Sequence, residues 1–405
     1  MAHISDIKGY KKEVEKLNSI CDFLKNTNKY VKLGVDLPVC LLICGQKGVG
    51  KTFAAEALAN DSEREIFTIS SFDASVRKIK KAFNAARKAA HSIVLIDDVD
   101  YLDVKEDKDE FDQIHLEMDD CKNGEVFVIM TADEKENLPK HLVNSIDPDL
   151  IMELQPPTIE EACEVFQPIF NKFKLANDFN ALNFCCFVIE QTYTYVEELF
   201  NKALRIAVYE GCEKISMQHL VKSTLLMKGY EPATEFDIGT AYHEVGHAVV
   251  NLLLGGDAAF IVLYGNCGGY FEEKNWRQET YEDLERRYVV RVAGKACEEI
   301  STGSTSLGSK KDLKRAAEDI EQDVKVLASQ GFEYYDPTEL NSPAYNDALT
   351  KKVQADLQRY YDKAKELLLE NRALVDKLVE KLKEKFYLLH SEIYEIYNEY
   401  IKAKK

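Results

Sequence analysis

At 405 residues, 45% of them hydrophobic and 30% charged, the chain is long enough for two or three ordinary cores, so a multidomain protein is expected. A formal net charge of −18 argues against a broad nucleic-acid or anionic-membrane surface, since both need clustered Lys and Arg; no nucleic-acid partner is expected. No apolar run approaches the roughly 18–20 residues of a membrane span, and the N-terminus Met1-Ala-His-Ile-Ser-Asp6 lacks the charged and apolar regions of a signal peptide, so a cytoplasmic protein is expected.

The first 150 residues alternate short apolar runs with helical patterns: Val39–Ile43 before Thr52–Leu58, Ile66–Ile69 before Val76–Ala90, then Ile93–Ile96 and Val126–Met130. Buried parallel strands separated by crossover helices give this pattern, and it predicts an α/β domain. Between the first strand and its helix, Gly45-Gln46-Lys47-Gly48-Val49-Gly50-Lys51-Thr52 matches G-x-x-x-x-G-K-[ST]. The glycines let backbone N–H groups wrap the phosphates of ATP, Lys51 can reach the β and γ oxygens, and Thr52 can ligate Mg²⁺. Asp97, closing the run Ile93-Val-Leu-Ile-Asp-Asp98, suits the Mg²⁺ shell, and Asp98 falls where a water-activating carboxylate belongs. Phe72 reads as a core side chain. The acidic stretch Asp103–Asp120 reads as a solvated loop and helix face.

Ten cysteines, several of them inside apolar segments (Cys40, Cys44, Cys185, Cys186) and none in a CxxC pair, read as reduced core residues rather than a disulfide framework or a metal knuckle. After Gln155-Pro-Pro157 the pattern is wholly helical to about Met227, which predicts a helical lid. Gly229–Thr234 has the composition of a linker.

Beyond the linker, Thr240-Ala-Tyr-His-Glu-Val-Gly-His-Ala-Val-Val250 contains the H-E-x-x-H pattern. Helical residues four apart share a face, so His243 and His247 can take two corners of a tetrahedral Zn²⁺ site with Glu244 facing the attacking water as general base. Apolar neighbours flank the motif, and Gly255-Gly256 stops the helix. Leu253 stands where a metzincin needs its third histidine, which excludes that class. Spacing leaves the third ligand open among the downstream carboxylates and histidines.

Phe260–Tyr264 and Gly269–Phe271 read as short strands, the first as an edge that could receive an extended substrate, although an ordinary sheet role fits its residues equally. Helices follow at Glu282–Ser301, Leu313–Ser329 and Asp347–Leu369, with more helix to the end. Val353, Leu357, Tyr361, Ala364 and Leu368 share one face without a strict heptad, a bundle-core pattern.

Taken together, Walker A and Walker B motifs on an α/β domain, a helical lid and then H-E-x-x-H resemble the FtsH family of ATP-dependent zinc metalloproteases, without that family's membrane-spanning N-terminal region. The likeness runs from about Ile4-Ser-Asp-Ile-Lys-Gly-Tyr10 to the C-terminal helices. It implies an α/β AAA+ P-loop domain at 1–153, its helical lid at 154–230, and a mostly α-helical zinc metallopeptidase domain at 235–405. Val292–Ile300 is similar to the helix that follows the family's zinc helix, and Ser301–Leu313 to the segment carrying its third ligand. On that match Asp312 completes the Zn²⁺ site. The resemblance also implies polypeptide substrates and a homo-oligomeric ring, such as a hexamer.

The departures concern the ATPase. Asp97-Asp98 replaces the family's Asp-Glu, Ala132 stands at the sensor Asn, and the aromatic pore loop has no counterpart long enough to project into a channel. Leu142-Val-Asn-Ser-Ile-Asp-Pro148 replaces the arginine-finger segment, and no Arg occurs between Arg87 and Arg205. A trans finger is worth about 10³–10⁵ in rate, so its loss outweighs the shortened acid. Three readings follow: a zinc endopeptidase that binds ATP and turns it over slowly or borrows the missing groups from a partner subunit, a zinc peptidase whose AAA+ domain only binds nucleotide or assembles rings, and a non-enzymatic scaffold. Intact H-E-x-x-H chemistry favours an endopeptidase over the scaffold.

Overall fold

In the N-terminal sheet, alternate residues of each strand feed two separate apolar layers. The structure, a computed structural model, describes residues 2–35, 37–89, 91–121, 124–273, 280–335 and 342–404. It divides into two compact units, Met1–Leu175 with Glu190–Lys202, and Ala176–Ile189 with Ala203–Lys405.

In the first unit, β1 (Cys40–Cys44), β2 (Glu65–Ser70), β3 (Ser92–Asp97), β4 (Val126–Ala132) and β5 (Ile151–Glu153) form one parallel sheet in the order β2-β3-β4-β1-β5. Every residue of β1 and β4 is buried, as expected when both faces are covered. Leu42, Val94, Val128 and Met130 point to the layer formed by α2 (Val76–Ala89) and α3 (Lys108–Asp119). Leu41, Ile43, Leu95 and Ile129 point to the opposite layer, which holds Ala55 and Leu58 of α1 (Lys51–Asp61). The Val76–Ala90 expectation ends on a residue outside the described ones. β5 was not expected, because a three-residue strand between Pro148 and Pro156 is too short to show a period.

One expectation needs correction here. Phe72 is not core: it is 89% exposed in the single turn Ser71–Asp73 after β2. The Ser71 hydroxyl donates to the carbonyl of Asp97 at 2.8 Å, so Ser71 is the residue drawn inward. Asp103–Asp120 does carry an exposed loop and helix face, and the other face of α3 buries Phe111, Ile114 and Met118 and holds Glu117 against Arg87.

The second unit is built around α4 (Ile238–Leu253) and α5 (Tyr281–Thr302). Asp237 caps α4 by accepting from the Thr240 N–H, and Gly255 follows it at φ +83°. The two helices approach closely at Gly246, where a Cβ would lie 2.4 Å from the Cβ of Cys297 and 2.8 Å from the carbonyl of Ala293. Around this contact α6 (Lys310–Gln322), α7 (Pro343–Glu370), α8 (Arg372–Lys385) and α9 (His390–Lys404) complete a helical core. Val353, Ala364 and Leu368 are buried in it, with Leu357 and Tyr361 packed against it, so the face read from spacing is the one that packs.

A small antiparallel sheet completes the unit, with β6 (Phe260–Tyr264) between β7 (Gly268–Glu272) and β8 (Tyr387–Leu389). This overturns the edge-strand expectation for Phe260–Tyr264, because β8 covers one side of it and β7 carries the outer edge. The sequence reading ran helix through β8. The strand is three residues long, entered through Phe386 in the left-handed region at φ +65°, and so short a break leaves no periodic signal. Among the described residues no helix is long and apolar enough to cross a membrane. Seven of the ten cysteines are buried.

Helices α5 and α7 are tied by Glu299, which accepts from Lys365 at 2.7 Å and from the Tyr361 hydroxyl. These two hydrogen bonds lower its carboxyl from an ordinary 4.5 to about 2. A depressed carboxylate stabilises the fold above its ordinary value and loses that contribution as pH falls through the folded one. Thermal unfolding followed by circular dichroism from pH 6 to pH 2 should therefore show a steeper acid loss for the native chain than for Glu299→Gln; parallel curves would contradict this.

Candidate metal centre and nucleotide cleft

His243, Glu244 and His247 share the buried face of α4 and are exposed by only 7–8%. Asp312, in the first turn of α6, reaches the same point from 69 residues along the chain. Nε2 of His243 lies 3.1 Å from Asp312 Oδ2 and 3.1 Å from Nε2 of His247, and His247 Nε2 lies 3.8 Å from the same Oδ2. With metal–nitrogen bonds of about 2.0–2.1 Å, the edges of a tetrahedral zinc site are roughly 3.3 Å. The three observed separations bracket that length, and two imidazole nitrogens with one carboxylate oxygen are a donor set that fits a divalent cation.

The ring orientations are set from outside. Nδ1 of His247 donates to the carbonyl of Val290 at 2.6 Å, which leaves Nε2 as the basic nitrogen. Nδ1 of His243 has no hydrogen-bond partner among the described residues and faces Glu298, whose Oε2 is 3.8 Å away. Buried Glu298 also accepts from the N–H of Ser306 at 2.7 Å and from its hydroxyl at 3.2 Å, anchoring the loop that leads to Asp312. Gly294 of α5 is the wall opposite the rings: a Cβ there would lie 2.4 Å from His247 Nε2 and 2.7 Å from His243 Nε2.

Electrostatics separate the two acids. Burial raises the Asp312 carboxyl, but hydrogen bonds and attraction from His243 and His247 outweigh it and hold the group well below the usual carboxylate range. For Glu244 burial wins over the same two imidazoles, and its carboxyl is raised. Glu244 receives the N–H of Phe271 in β7, and a Cβ at Gly269 of that strand would lie 2.7 Å from Glu244 Cγ. The strand edge and the acid are therefore in contact.

In the first unit, the loop Gly45–Thr52 joins β1 to α1. Gly45, Gly48 and Gly50 have φ of +148°, +87° and +110°, and a Cβ at Gly45 would strike the carbonyl of Leu154 at 2.2 Å. Gln46 and Lys47 are exposed, whereas Val49 is packed into the core. Lys51, 5% exposed, donates to the carbonyl of Gly45 at 2.7 Å and to Asp133 Oδ1 at 2.6 Å. The Thr52 hydroxyl donates to Asp97 Oδ1 at 3.0 Å, and the Thr131 hydroxyl donates to the same oxygen at 2.7 Å. Asp98 follows β3 at φ +52°, with its carboxyl raised by burial and then by Asp97. Lys51, Thr52 and Asp97 thus meet at the C-terminal ends of β1 and β3, with glycine-shaped backbone around them, which fits a phosphate chain and its Mg²⁺.

The model for "ATPase family associated with various cellular activities" matches residues 41–154, and that for peptidase family M41 matches residues 235–396. Similar proteins include the ATP-dependent zinc metalloprotease FtsH of Streptobacillus moniliformis, 25% identical over 96% of this chain and 63% of its own length. FtsH 2 of a Thermoanaerobacter species is 26% identical over 97% of this chain and 82% of its own. The FtsH of Protochlamydia amoebophila is 24% identical over 96% and 47%. The chain carries an AAA domain followed by an M41 peptidase domain. It spans between about half and four fifths of the length of these relatives.

The AAA match contains the phosphate loop, Asp97 and Asp98, and the M41 match contains both histidines, Glu244 and Asp312. Four residues of the two sites went unremarked in the sequence reading. Gly294 and Glu298 are four apart on one face of α5, a spacing that was readable. Thr131 and Asp133 flank the Ala132 position taken for the sensor; Ala132 itself is buried and carries no polar group, and Asp133 is the side chain that reaches Lys51.

Proposed function

We propose that this chain is an FtsH-type zinc endopeptidase acting on polypeptides, with an AAA+ domain that binds ATP and Mg²⁺ and hydrolyses ATP slowly. The observation that carries the peptidase reading is the convergence of His243 Nε2, His247 Nε2 and Asp312 Oδ2 within 4.8 Å of one another, beside buried Glu244. Those three side chains would hold Zn²⁺. When bound, the ion supplies a Lewis acid that polarises a peptide carbonyl and acidifies water. Glu244 takes the proton of the attacking water and returns it to the leaving amine, and its raised carboxyl is suited to holding that proton. The outer edge of β7, in contact with Glu244, offers backbone donors and acceptors to an extended chain, and its Gly268 and Gly269 add no side-chain obstruction. Glu298 and Val290 are positioning groups for the two imidazoles.

On the nucleotide side, Gly45–Thr52 would cradle the phosphates, Asp97 with Thr52 would hold Mg²⁺, and Asp98 would orient water. The absence of any Arg between Arg87 and Arg205 supports binding in excess of turnover. The domain limits we assign are 1–153, 154–230 and 235–405, and the AAA match supports assembly into a homo-oligomeric ring. Seven buried cysteines out of ten, with no CxxC pair in the sequence, support a reducing, cytoplasmic compartment. The test is degradation of an unfolded, casein-like polypeptide by zinc-loaded protein, with Glu244→Gln as control: fragments from the native chain alone are expected, and equal fragments from both would overturn the reading.

A further inference from the structure

The ammonium of Lys51, the cation a phosphate chain needs, is already engaged. One bond goes to the carbonyl of Gly45 and the other, at 2.6 Å, to the carboxylate of Asp133. Asp133 follows β4 directly, and its backbone is held in place: its N–H donates to Asp100 Oδ2 at 2.7 Å, and its carbonyl accepts from the N–H of Gly45 at 3.1 Å. Its side chain is about half exposed, so the carboxylate can rotate while its origin stays at the mouth of the loop.

The sheet order fixes which end of a nucleotide meets this acid. The phosphate loop follows β1, whose neighbour on one side is β4, followed by β3. A phosphate chain laid on the loop N–H groups and the start of α1 extends towards Thr52 and Asp97, hence towards the ends of β4 and β3. Those ends carry Asp133, Asp97 and Asp98, and burial with the Asp97 charge already disfavours ionised Asp98. The two positive charges of Mg²⁺ would offset Asp97 and one phosphate charge, and Asp133 is bound to the lysine and not to Thr52 or Asp97.

We propose that Asp133 is a specificity-determining residue that makes this cleft favour a nucleoside diphosphate over a triphosphate, because its carboxylate holds on Lys51 the place a terminal phosphate would take. This rests on the nucleotide-binding reading above. A diphosphate can lie on the loop with Asp133 still near Lys51, whereas a triphosphate must displace the carboxylate and then sit beside its charge.

Equilibrium binding of fluorescent ADP and of the fluorescent β,γ-imido analogue of ATP to the full chain, with Mg²⁺ present, tests this. The native chain should bind the diphosphate about tenfold or more tighter. Asp133→Asn should tighten the triphosphate analogue by roughly 10–100-fold, between the bulk-water and protein-surface limits for one charge–charge contact a few ångströms long, and the diphosphate by much less. Asp133→Ala, which removes the charge without adding an amide donor, should narrow the ratio in the same direction. Equal affinities in the native chain, or a variant that shifts both ligands alike, would overturn the proposal and leave the nucleotide-binding reading intact. Binding of neither ligand to native or variant protein, or binding that survives Lys51→Ala, would overturn both.

Discussion

Glu244→Gln is expected to lower peptide-bond hydrolysis by about 10²–10⁴-fold, the range for loss of a positioned general base, while zinc content stays at the native level. Glu244 is 8% exposed and is not among the three converging donors, so its replacement should not empty the site. A glutamine amide has nearly the same shape, and its carbonyl oxygen can still accept from the N–H of Phe271, so the contact between α4 and β7 is kept. What it cannot do is take a proton from water. The loss should therefore appear in kcat rather than KM, measured as initial rates on a quenched fluorescent peptide with zinc quantified on the same sample. Activity within tenfold of the native chain would mean that another group is the base.

Gly294→Ala should be nearly as damaging, through geometry alone. The added methyl would lie 2.4 Å from His247 Nε2 and 2.7 Å from His243 Nε2, well inside contact distance. Retreat of α5 would pull its Ala293 carbonyl and Cys297 out of their close packing against Gly246 of α4. The rings must turn instead, and turning His247 breaks its 2.6 Å bond to Val290. Disturbing the groups that orient metal-ligating histidines typically costs about 10–100-fold in metal affinity, and a direct collision with both rings belongs at or above the upper end. Competition with a chromophoric zinc chelator should show that loss, accompanied by a lower melting temperature. Native zinc affinity in the variant would contradict the described wall.

The features legible in the sequence were those with a local period or a fixed spacing. β1 and β4 are continuous apolar runs because both faces are covered, and that pattern survives in one dimension. His243 and His247 declare themselves through helical spacing, and Gly45–Thr52 through glycines that need unusual φ. Asp312 was reached only through family likeness, since nothing local relates it to a histidine 69 residues away. Asp133 escaped notice for the same reason: its partner Lys51 is 82 residues back, and only the β4-β1 pairing brings them together. β5 and β8 are three residues long, below the length at which alternation can be recognised, and missing β8 misplaced the sheet edge from β7 to β6. Phe72 shows the limit of hydrophobicity as a guide, because a hydrogen bond made by its neighbour Ser71 decides which way the turn faces.

The most direct measurement is zinc stoichiometry and affinity for the native chain and Asp312→Ala after dialysis against a fixed free-zinc buffer. One tightly held zinc per native chain, weakened about 100-fold or lost in the variant, is the expected result. A variant that keeps its zinc at native affinity would contradict the convergence of His243, His247 and Asp312 on one cation.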